Sequence, residues 1–455
     1  MLQNRRRRPT LALLLAASAL ATLSCHREAP RPRNVIFILV DTLRADHLGS
    51  YGYGRATSPN VDAFAREAVR FDSARSQAAC TFPSANSMLT SRWPAAFLGQ
   101  RNQSLGIPKG IPSLAEILQQ KGFRTVAVSA SAVVRKTPSR FNPTAGFGRG
   151  FEVFEEDCVW KSAACVNRLA AAHLKPGKQP LFLYLHYIDP HGPYRPPKAW
   201  SHKFARGRPD KKWVRIGDPN PIGNWLYKGK PNPGFTPADL RFLMDLYDEE
   251  IAFFDARFAE LLAALRGSGL LDDSIVVFAS DHGEEFLEHE NIKHCRTLFD
   301  NSIKVPLLLK IPGVEAKAVS QPAQNLDLVP TILDYLGIET GHAFEGRSLR
   351  PLIEEDPRAA AGELQYGMQG PYRSASDGRF KLIQDLASGA VSLFDLSTDP
   401  GETADVLRRE RRAYARLRDS LAGWISHAEN QDTAAASVQK AKEAEERLRS
   451  LGYIE

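Results

Sequence analysis

The sequence lacks a set of long apolar segments that could form a transmembrane bundle, and it lacks the strong positive charge of a nucleic-acid-binding protein. Its 455 residues include 59 Lys and Arg against 52 Asp and Glu, and Arg5–Arg8 supply four of the seven net positive charges. The chain after residue 24 therefore has too little net charge to bind nucleic acid. A hydrophobic content of 43% is that of an ordinary folded protein. No internal repeat is present.

The N-terminal residues have the parts of a secretion signal. Arg5–Arg8 precede an apolar stretch, Leu11–Leu23, that is too short to span a bilayer. The small residue before Cys25 resembles the lipobox of bacterial lipoproteins, in which the cysteine is lipidated, although Thr22 replaces the usual Leu. We expect an exported lipoprotein of the cell envelope, on its periplasmic or outer-membrane face and held to the membrane through Cys25, with a secreted soluble protein as the alternative. The predicted segments are a signal peptide at 1–24 and a lipidated tether at 25–33.

Cysteine is scarce, with five residues in the chain. After Cys25, four remain, and no pair has zinc-ligand spacing. An exported protein meets oxidising conditions in which disulfides are permitted. Cys158 and Cys165 can pair only if the segment between them is not one continuous helix, which would hold them about 10 Å apart.

Apolar runs rich in β-branched residues alternate with helical patterns from Asn34 onward. The run Val35–Val40 is typical of a strand buried on both faces of a parallel sheet. Similar runs occupy residues 125–128, 181–185, 275–278 and 305–309. Helical patterns occupy residues 114–118 and 237–266, the latter with apolar residues at steps of three and four. This alternation predicts an α/β fold with a doubly wound sheet.

Several polar residues follow the predicted strands, at the edge where doubly wound sheets bind ligands. They are Asp41, His191, Asp281 and His282. A buried carboxylate is costly unless it is paired or binds a cation, and two Asp with one His suit a divalent metal. Taken alone, an Asp-His-Gly triplet is also typical of a solvated turn.

Thr81 precedes Pro83 in a segment that predicts a helix N-terminus. The unsatisfied amides and the dipole of such a terminus attract anions. A threonine beside a metal can be deprotonated and act as a nucleophile. The alternative is that Thr81 only caps the helix.

In this order, these segments resemble the sulfatase family of the alkaline phosphatase superfamily. The resemblance extends from Asn34 to the C-terminus. It rests on Asp41, Thr81-x-Pro83-Ser84, Asp189-Pro190-His191-Gly192-Pro193-Tyr194, Ser280-Asp281-His282-Gly283-Glu284, His294-Cys295-Arg296-Thr297-Leu298-Phe299-Asp300, Gly346-Arg347-Ser348-Leu349-Arg350-Pro351-Leu352 and Leu393-Phe394-Asp395-Leu396-Ser397-Thr398-Asp399-Pro400-Gly401-Glu402.

The resemblance implies an alkaline-phosphatase-like doubly wound α/β/α sandwich with a small C-terminal α+β subdomain. The catalytic domain is placed at 34–337. After about residue 338 the chain changes to short polar segments and turns, which predicts the subdomain at 338–431, and the Ala-, Glu-, Lys- and Arg-rich residues 432–455 predict a helical tail. The implied metal ligands are Asp41, Asp281, His282 and Thr81, and Thr81 occupies the nucleophile position. His191 and His294 match positions that contact the anionic group or protonate the leaving oxygen, a task that suits histidine. Ser84 is the remaining substrate-binding candidate.

The sequence departs from the family at the nucleophile. Sulfatases carry Cys or Ser there, two residues before Pro, and oxidise it to formylglycine, whereas this chain has Thr81. Cys80 is one position out of register, so no formylglycine is expected. Ala85 replaces the family's Arg, and residues 126–131 replace a Gly-Lys-x-His segment.

These departures have a chemical consequence. A formylglycine hydrate expels sulfate by collapsing to the aldehyde, whereas a threonine ester must be cleaved by water, which phosphorus tolerates readily. Thr81 and the Asp281-His282 pair therefore favour phospho-esters and a transition metal over the sulfuric ester hydrolysis usual in the family. One divalent metal is expected, with Ca, Mn and Zn undecided. A second metal is an alternative, for which Asp189 and His289 are candidate ligands.

We therefore expect an exported hydrolase that cleaves sulfate, phosphate or phosphonate esters through a covalent nucleophile at Thr81. Its substrate would be a sulfated or phosphorylated small molecule, glycan or lipid. The alternatives are a phospho-group transferase with a sugar or lipid acceptor and an inactive surface protein that binds anions. Trp213 and Trp225, in a basic stretch at 201–230, are candidates for stacking on the substrate. The positions of Cys80 beside Thr81 and of Cys295 beside His294 suggest a disulfide flanking the site.

Overall fold

The computed structural model describes residues 32–97, 107–108, 110–160, 162–356 and 363–430. The predicted signal peptide, the lipidation site at Cys25 and the predicted helical tail lie outside these residues. Within the described ranges, no helix has the length and apolar character needed to cross a bilayer.

The sixteen strands of the described chain form one large sheet and three small ones. Their bounds are β1 Asn34–Val40, β2 Val69–Phe71, β3 Ala74–Arg75, β4 Arg124–Ser129, β5 Val153–Glu155, β6 Leu181–Tyr187, β7 Ser274–Ser280, β8 Glu285–Phe286, β9 Ile292–Lys293, β10 Leu307–Lys310, β11 Lys317–Val319, β12 Ala323–Gln324, β13 Gln365–Gln369, β14 Tyr372–Ser376, β15 Phe380–Asp385 and β16 Val391–Asp395. The large sheet has the order β11-β2-β10-β7-β1-β6-β4-β5.

Helices cover both faces of this sheet. Their bounds are α1 Pro59–Ala65, α2 Thr81–Thr90, α3 Leu114–Gln120, α4 Ala163–Ala170, α5 Lys212–Arg215, α6 Asn220–Lys228, α7 Pro237–Gly267, α8 Asp300–Ile303, α9 Leu328–Leu336, α10 Arg350–Ile353 and α11 Arg411–Asn430. Short 3-10 helices occupy Ala45–His47, Gly49–Tyr51, Pro94–Ala96, Ala171–His173 and Asn325–Asp327.

Strand β1 shows why the sheet needs two helical layers. Its alternate residues Ile36, Ile38 and Val40 pack into one apolar core with α1 and α7, and the intervening residues pack into a second core with α2, α3 and α9. Because successive side chains of a strand point to opposite faces, an apolar run without alternation must be buried on both sides. The sequence prediction of an α/β/α sandwich is confirmed.

The five predicted strands and both predicted helices are present, with ends shifted by a few residues. One difference lies in direction, since β10 runs antiparallel to β7. The chain between these two strands contains the β8–β9 hairpin and the four-residue α8. The connection is long enough for a parallel crossover, but its helix, α8, has four residues and is too short to carry the chain back along the sheet, so β10 runs antiparallel.

The C-terminal part forms a separate small layer. Strands β13 to β16 make a four-stranded antiparallel meander, and α11 packs on it through a third apolar core that includes Leu382, Leu417 and Leu421. This agrees with the predicted α+β subdomain. The boundaries at 338 and 431 stay predictions.

Candidate active site

The centre of the sheet brings two aspartates together. Strand β1 pairs in parallel with β7, with Val40 opposite Ser280, so Asp41 and Asp281 leave neighbouring strands at the same edge. Both side chains are fully buried. Asp281 Oδ1 accepts hydrogen bonds from the backbone N–H groups of Thr42 and His282, which turns Oδ2 away from them. Burial, together with the charge of Asp281, raises the pKa of Asp41 well above its usual value.

His186 joins this pair, and the sequence analysis missed it. It lies in β6, which pairs with the other side of β1, and its Nε2 is 3.4 Å from Asp41 Oδ2. The side chain is completely buried, and its Nδ1 lies 3.2 Å from the Tyr184 hydroxyl. The one signal for it was a polar residue inside an otherwise apolar and aromatic strand.

Thr81 and His282 form the next layer of the site. Thr81 is the first residue of α2, and its Oγ1 is 3.1 Å from His282 Nε2. Cys80 is the N-cap residue, so the alternative that Thr81 merely caps the helix is wrong. His282 Nδ1 lies 2.9 Å from the Gly283 carbonyl, which can only accept, so Nδ1 carries the proton and Nε2 presents a lone pair.

The donor set fits a divalent cation. Three buried ligand atoms have no hydrogen-bond partner: Asp41 Oδ1, His186 Nε2 and Asp281 Oδ2. One ligand atom from each of these residues lies within 4.8 Å of the others. His282 Nε2 is 3.5 Å from Asp281 Oδ2 and 4.0 Å from Asp41 Oδ1. Buried carboxylates without a counter-charge are costly, and two carboxylates with imidazole nitrogens suit a transition metal.

His294 faces the same cluster from a hairpin. Strands β8 and β9 pair Glu285 with Lys293, so the residues just outside that pair, Glu284 and His294, lie opposite each other. His294 Nδ1 is 2.8 Å from Glu284 Oε1, and the Tyr194 hydroxyl donates to Glu284 Oε2. Burial opposes ionisation of Glu284, but His294 and the other nearby cations outweigh it and lower its pKa to about 2. The centroid of the His294 ring lies 4.6 Å from that of the His282 ring.

His191 lies beside His294, with the ring centroids 5.0 Å apart. Its Nδ1 is 2.6 Å from the Gly192 carbonyl, so this nitrogen also carries a proton in the neutral ring. Burial, followed by the charge of His294, lowers the pKa of His191. The ring therefore stays neutral at ordinary pH.

The geometry argues against the predicted substrate contact of Ser84. Its hydroxyl is fully buried, donates to the Asp281 carbonyl and lies 2.9 Å from Ser76 Oγ. Ser84 therefore ties α2 to the loop after β7.

The candidate extra ligands also have other partners. Asp189 accepts from the Ala163 N–H and is hydrogen-bonded to Glu250. The His289 ring stacks on Phe299 at 3.5 Å. Neither residue belongs to the group of ligand atoms described above.

The structure places the predicted stacking tryptophans against the core, and their stacking on a substrate stays a prediction. Trp213 and Trp225 are partly buried and pack against the hydrophobic core. Trp160 is the tryptophan that lies near the site, 49% exposed and with its ring 5.3 Å from that of His191. The exposed Phe141 packs edge-on against it.

Both disulfides proposed from the sequence are present. Cys80 is bonded to Cys295, and Cys158 is bonded to Cys165. The helix that contains Cys165 begins at Ala163, so Cys158 lies outside it and the second pair can close.

Comparison with known proteins identifies the family. The family model named Sulfatase matches residues 33–338, and a second, N-sulphoglucosamine sulphohydrolase, C-terminal, matches residues 288–431. The chain belongs to the sulfatase family. It is thus a hydrolase of a metal-dependent family that acts on sulfuric or phosphoric ester bonds.

Individual relatives agree with this family. The ulvan-active sulfatase of Formosa agariphila is 26% identical over 426 residues, which cover 88% of this chain and 81% of that protein. The phosphonate monoester hydrolase of Agrobacterium radiobacter shares the fold at a TM-score of 0.69 and 20% identity, over 88% of this chain and 96% of that one. A 2-O GAG sulfatase shares the fold at a TM-score of 0.69 and 18% identity, over 89% of this chain and 94% of that one.

Proposed function

We propose that this sulfatase-family protein cleaves phosphate or phosphonate esters, and sulfate esters less well, through a covalent bond to unmodified Thr81. The observation that carries the proposal is the position of Thr81 Oγ1. It lies at the N-terminus of α2, 3.1 Å from His282 Nε2, beside the two buried aspartates. The fold shared with phosphonate monoester hydrolases supports the phospho-ester preference.

The proposed metal ligands are Asp41, Asp281 and His282, with Thr81 at the open side of the cluster. We add His186 to this set because its Nε2 has no other partner. A divalent cation there would neutralise the non-bridging oxygens of the ester and lower the pKa of the Thr81 hydroxyl.

His294 is the proposed acid. Its Nδ1 is hydrogen-bonded to the Glu284 carboxylate, which orients the ring and leaves Nε2 to transfer a proton to the leaving oxygen. His191 suits this role less well because its Nδ1 already donates to Gly192 and its pKa is lowered. We assign to His191 the acceptance of a hydrogen bond from the organic part of the substrate.

The reaction then has two halves. Thr81 Oγ1 gives its proton to water and forms a bond to phosphorus or sulfur while the bond to the leaving oxygen breaks, and His294 gives that oxygen its proton. Water then attacks the same centre and its proton passes to His294, while the bond to Thr81 breaks and Thr81 Oγ1 takes a proton back from water. The amides of the first turn of α2 stabilise the anionic group in both halves.

Trp160 and Phe141 indicate the organic group. Their exposed rings next to His191 offer an apolar face to a ring-shaped leaving group such as a sugar. Glycan substrates in related structures, a glucosamine disulfate and a carrageenan oligosaccharide, support a sugar ester. Among the small-molecule, glycan and lipid substrates considered above, we therefore favour the glycan.

We retain the proposal that the protein is an exported lipoprotein anchored through Cys25. Two disulfides in the described chain support an oxidising compartment.

The test is turnover of the metal-loaded protein without residues 1–24 on matched aryl phosphate, phosphodiester, phosphonate and sulfate substrates. Thr81→Ala and Thr81→Ser are assayed in parallel. We expect phospho-ester activity in the wild type, a loss of about 1000-fold or more in Thr81→Ala, and partial activity in Thr81→Ser. Wild-type activity retained in Thr81→Ala would contradict the proposal. Metal binding without turnover of any substrate would favour the anion-binding protein, and turnover that requires a sugar or lipid acceptor would favour the transferase.

A further inference from the structure

The Cys80–Cys295 disulfide joins the immediate neighbours of the two residues proposed to do the chemistry. Cys80 precedes Thr81, Cys295 follows His294, and the bond spans 215 residues of sequence. No other covalent link in the described chain connects the start of α2 to the hairpin that carries His294. The bond therefore ties the segment that carries the nucleophile to the segment that carries the proton donor.

The backbone around His294 needs such a constraint. Lys293 and Cys295, on either side of it, have φ angles of 71° and 68°, in the left-handed region that non-glycine residues avoid. The strand before His294 contains two residues, and the three residues from His294 to Arg296 have no regular structure. A segment of this kind keeps an unfavourable conformation only where its surroundings impose it.

Non-covalent contacts give the segment limited further support. The Cys295 N–H donates to the Ala79 carbonyl at 2.7 Å, and Gln369 Nε2 donates to the Cys295 carbonyl at 3.1 Å. These bonds fix the backbone of Cys295. In the described chain, Glu284 is the one hydrogen-bonding neighbour of the His294 ring. Both cysteines are partly exposed, whereas Cys158 of the other disulfide is fully buried.

We propose that the Cys80–Cys295 disulfide is a positioning element that aligns His294 with the leaving oxygen of a substrate attacked by Thr81, and that its reduction disables proton donation. The inference rests on the proposed function. In the reduction, a phosphine takes up an oxygen atom from water and becomes a phosphine oxide, while the two sulfurs each gain a proton and become thiols. A small-molecule disulfide such as oxidised glutathione takes up the two electrons and two protons, becomes two thiols, and restores the bond and the alignment.

The readout is the dependence of rate on the leaving group. An ester with a good leaving group, such as 4-nitrophenyl, needs little proton donation, whereas a phenyl or alkyl ester needs it fully. A general loss of structure slows both classes alike. Loss of His294 alignment selectively lowers kcat/KM for the second class, because kcat/KM reports the first half of the reaction, in which the leaving oxygen takes its proton.

Three proteins are compared on phosphate esters of graded leaving-group pKa: the wild type, Cys80→Ala/Cys295→Ala and the matched control Cys158→Ala/Cys165→Ala. We expect kcat/KM of the first variant to fall about 100-fold on phenyl esters and less than about 5-fold on 4-nitrophenyl esters. We expect the control to keep the wild-type slope of rate against leaving-group pKa, whatever its effect on KM or melting temperature. Metal content is measured in all three and is expected to be equal.

The second arm avoids any folding defect of the double variant. The control variant, in which Cys80–Cys295 is the remaining disulfide of the described chain, is reduced with a phosphine and then reoxidised. Reduction should steepen the slope and reoxidation should reverse it. An unchanged slope in both arms, with active wild type, would overturn the inference, whereas an inactive wild type would overturn the proposed function itself.

Discussion

Two buried charge clusters in this protein differ in whether each charge has a partner. The cluster between β3, α8 and the C-terminal meander is paired: Arg75 Nη2 is 2.6 Å from Asp300 Oδ2, and Lys381 Nζ is 2.7 Å from Asp300 Oδ1 and 2.8 Å from Glu402 Oε1. The cluster at the strand ends has two aspartates and no Lys or Arg among its hydrogen-bonding and ion-pair partners in the described chain.

The difference distinguishes a structural cluster, which is paired, from a functional cluster, which is not. The paired cluster lowers the pKa of Asp300, despite burial, because Arg75 and Lys381 stabilise its charge. The aspartate cluster raises the pKa of Asp41 because burial and Asp281 both oppose its charge. A fold keeps uncompensated buried charge where a bound ligand supplies the compensation.

The largest expected effect is that of Asp41→Asn. It removes a proposed ligand, so metal content should fall and kcat/KM should drop by about 1000-fold, equivalent to about 4 kcal/mol. The same change removes like-charge repulsion, so the metal-free variant should unfold at an equal or higher urea concentration than the metal-free wild type. Metal analysis, turnover and urea titration check these outcomes. A clear loss of metal-free stability would show that Asp41 is a structural residue.

Asp300→Asn should have the opposite signature. It leaves Arg75 and Lys381 without their shared carboxylate, so the free energy of unfolding should fall by about 3–5 kcal/mol. Metal content of the folded protein should not change. Chemical denaturation with metal analysis at low temperature tests this, and metal loss without destabilisation would contradict the comparison.

Glu284 gives a pH-dependent prediction. Its pKa is lowered to about 2 in the folded state, so its carboxylate contributes stability above the unfolded value, which is about 4.3, and loses that contribution as the pH falls towards 2. The stability difference between wild type and Glu284→Gln should therefore be about 3 kcal/mol near pH 6 and should shrink below pH 4. Urea unfolding at several pH values measures it, and a difference that grows on acidification would have the wrong sign.

Trp160→Ala should have the smallest effect. The loss of a stacking face should raise KM for a sugar ester about 5-fold, which is close to 1 kcal/mol. KM for a small alkyl ester and kcat for both substrates should stay unchanged. The matched control is Trp213→Phe, since Trp213 packs against the core. Equal KM changes for both esters would exclude a specific role for the Trp160 ring.

Much of the fold could be predicted from the sequence, because parallel strands that are buried on both faces have no polar face and form uninterrupted apolar runs. The runs before Asp41 and Asp281 showed both the strands and the edge where their ends meet. The direction of β10 was not visible, because a buried apolar run gives no direction and the connection before it contains the β8–β9 hairpin and the short α8. That hairpin has strands of two residues, too short to give any periodic pattern.

The site residues that lie within the sequence motifs were predicted. The contacts that depend on which strands pair, and in which register, were missed. His186 reaches Asp41 because β6 lies beside β1, and Glu284 reaches His294 because β8 pairs with β9. Composition did not point to Trp160, because it singled out the tryptophans of the basic stretch, Trp213 and Trp225, which pack against the core. Trp160 lies between the disulfide-bonded Cys158 and Cys165, and its position follows from that loop.

The central claim is that unmodified Thr81 forms the covalent intermediate. The most direct measurement is mass spectrometry of the protein quenched during turnover of an aryl phosphate or phosphonate, with fragmentation of the peptide that contains residue 81. We expect a threonine of unaltered mass in the resting protein and a phosphoryl or phosphonyl group on Thr81 in the quenched one, absent from Thr81→Ala. An adduct on a different residue, or a modified side chain at position 81 before substrate is added, would contradict the account.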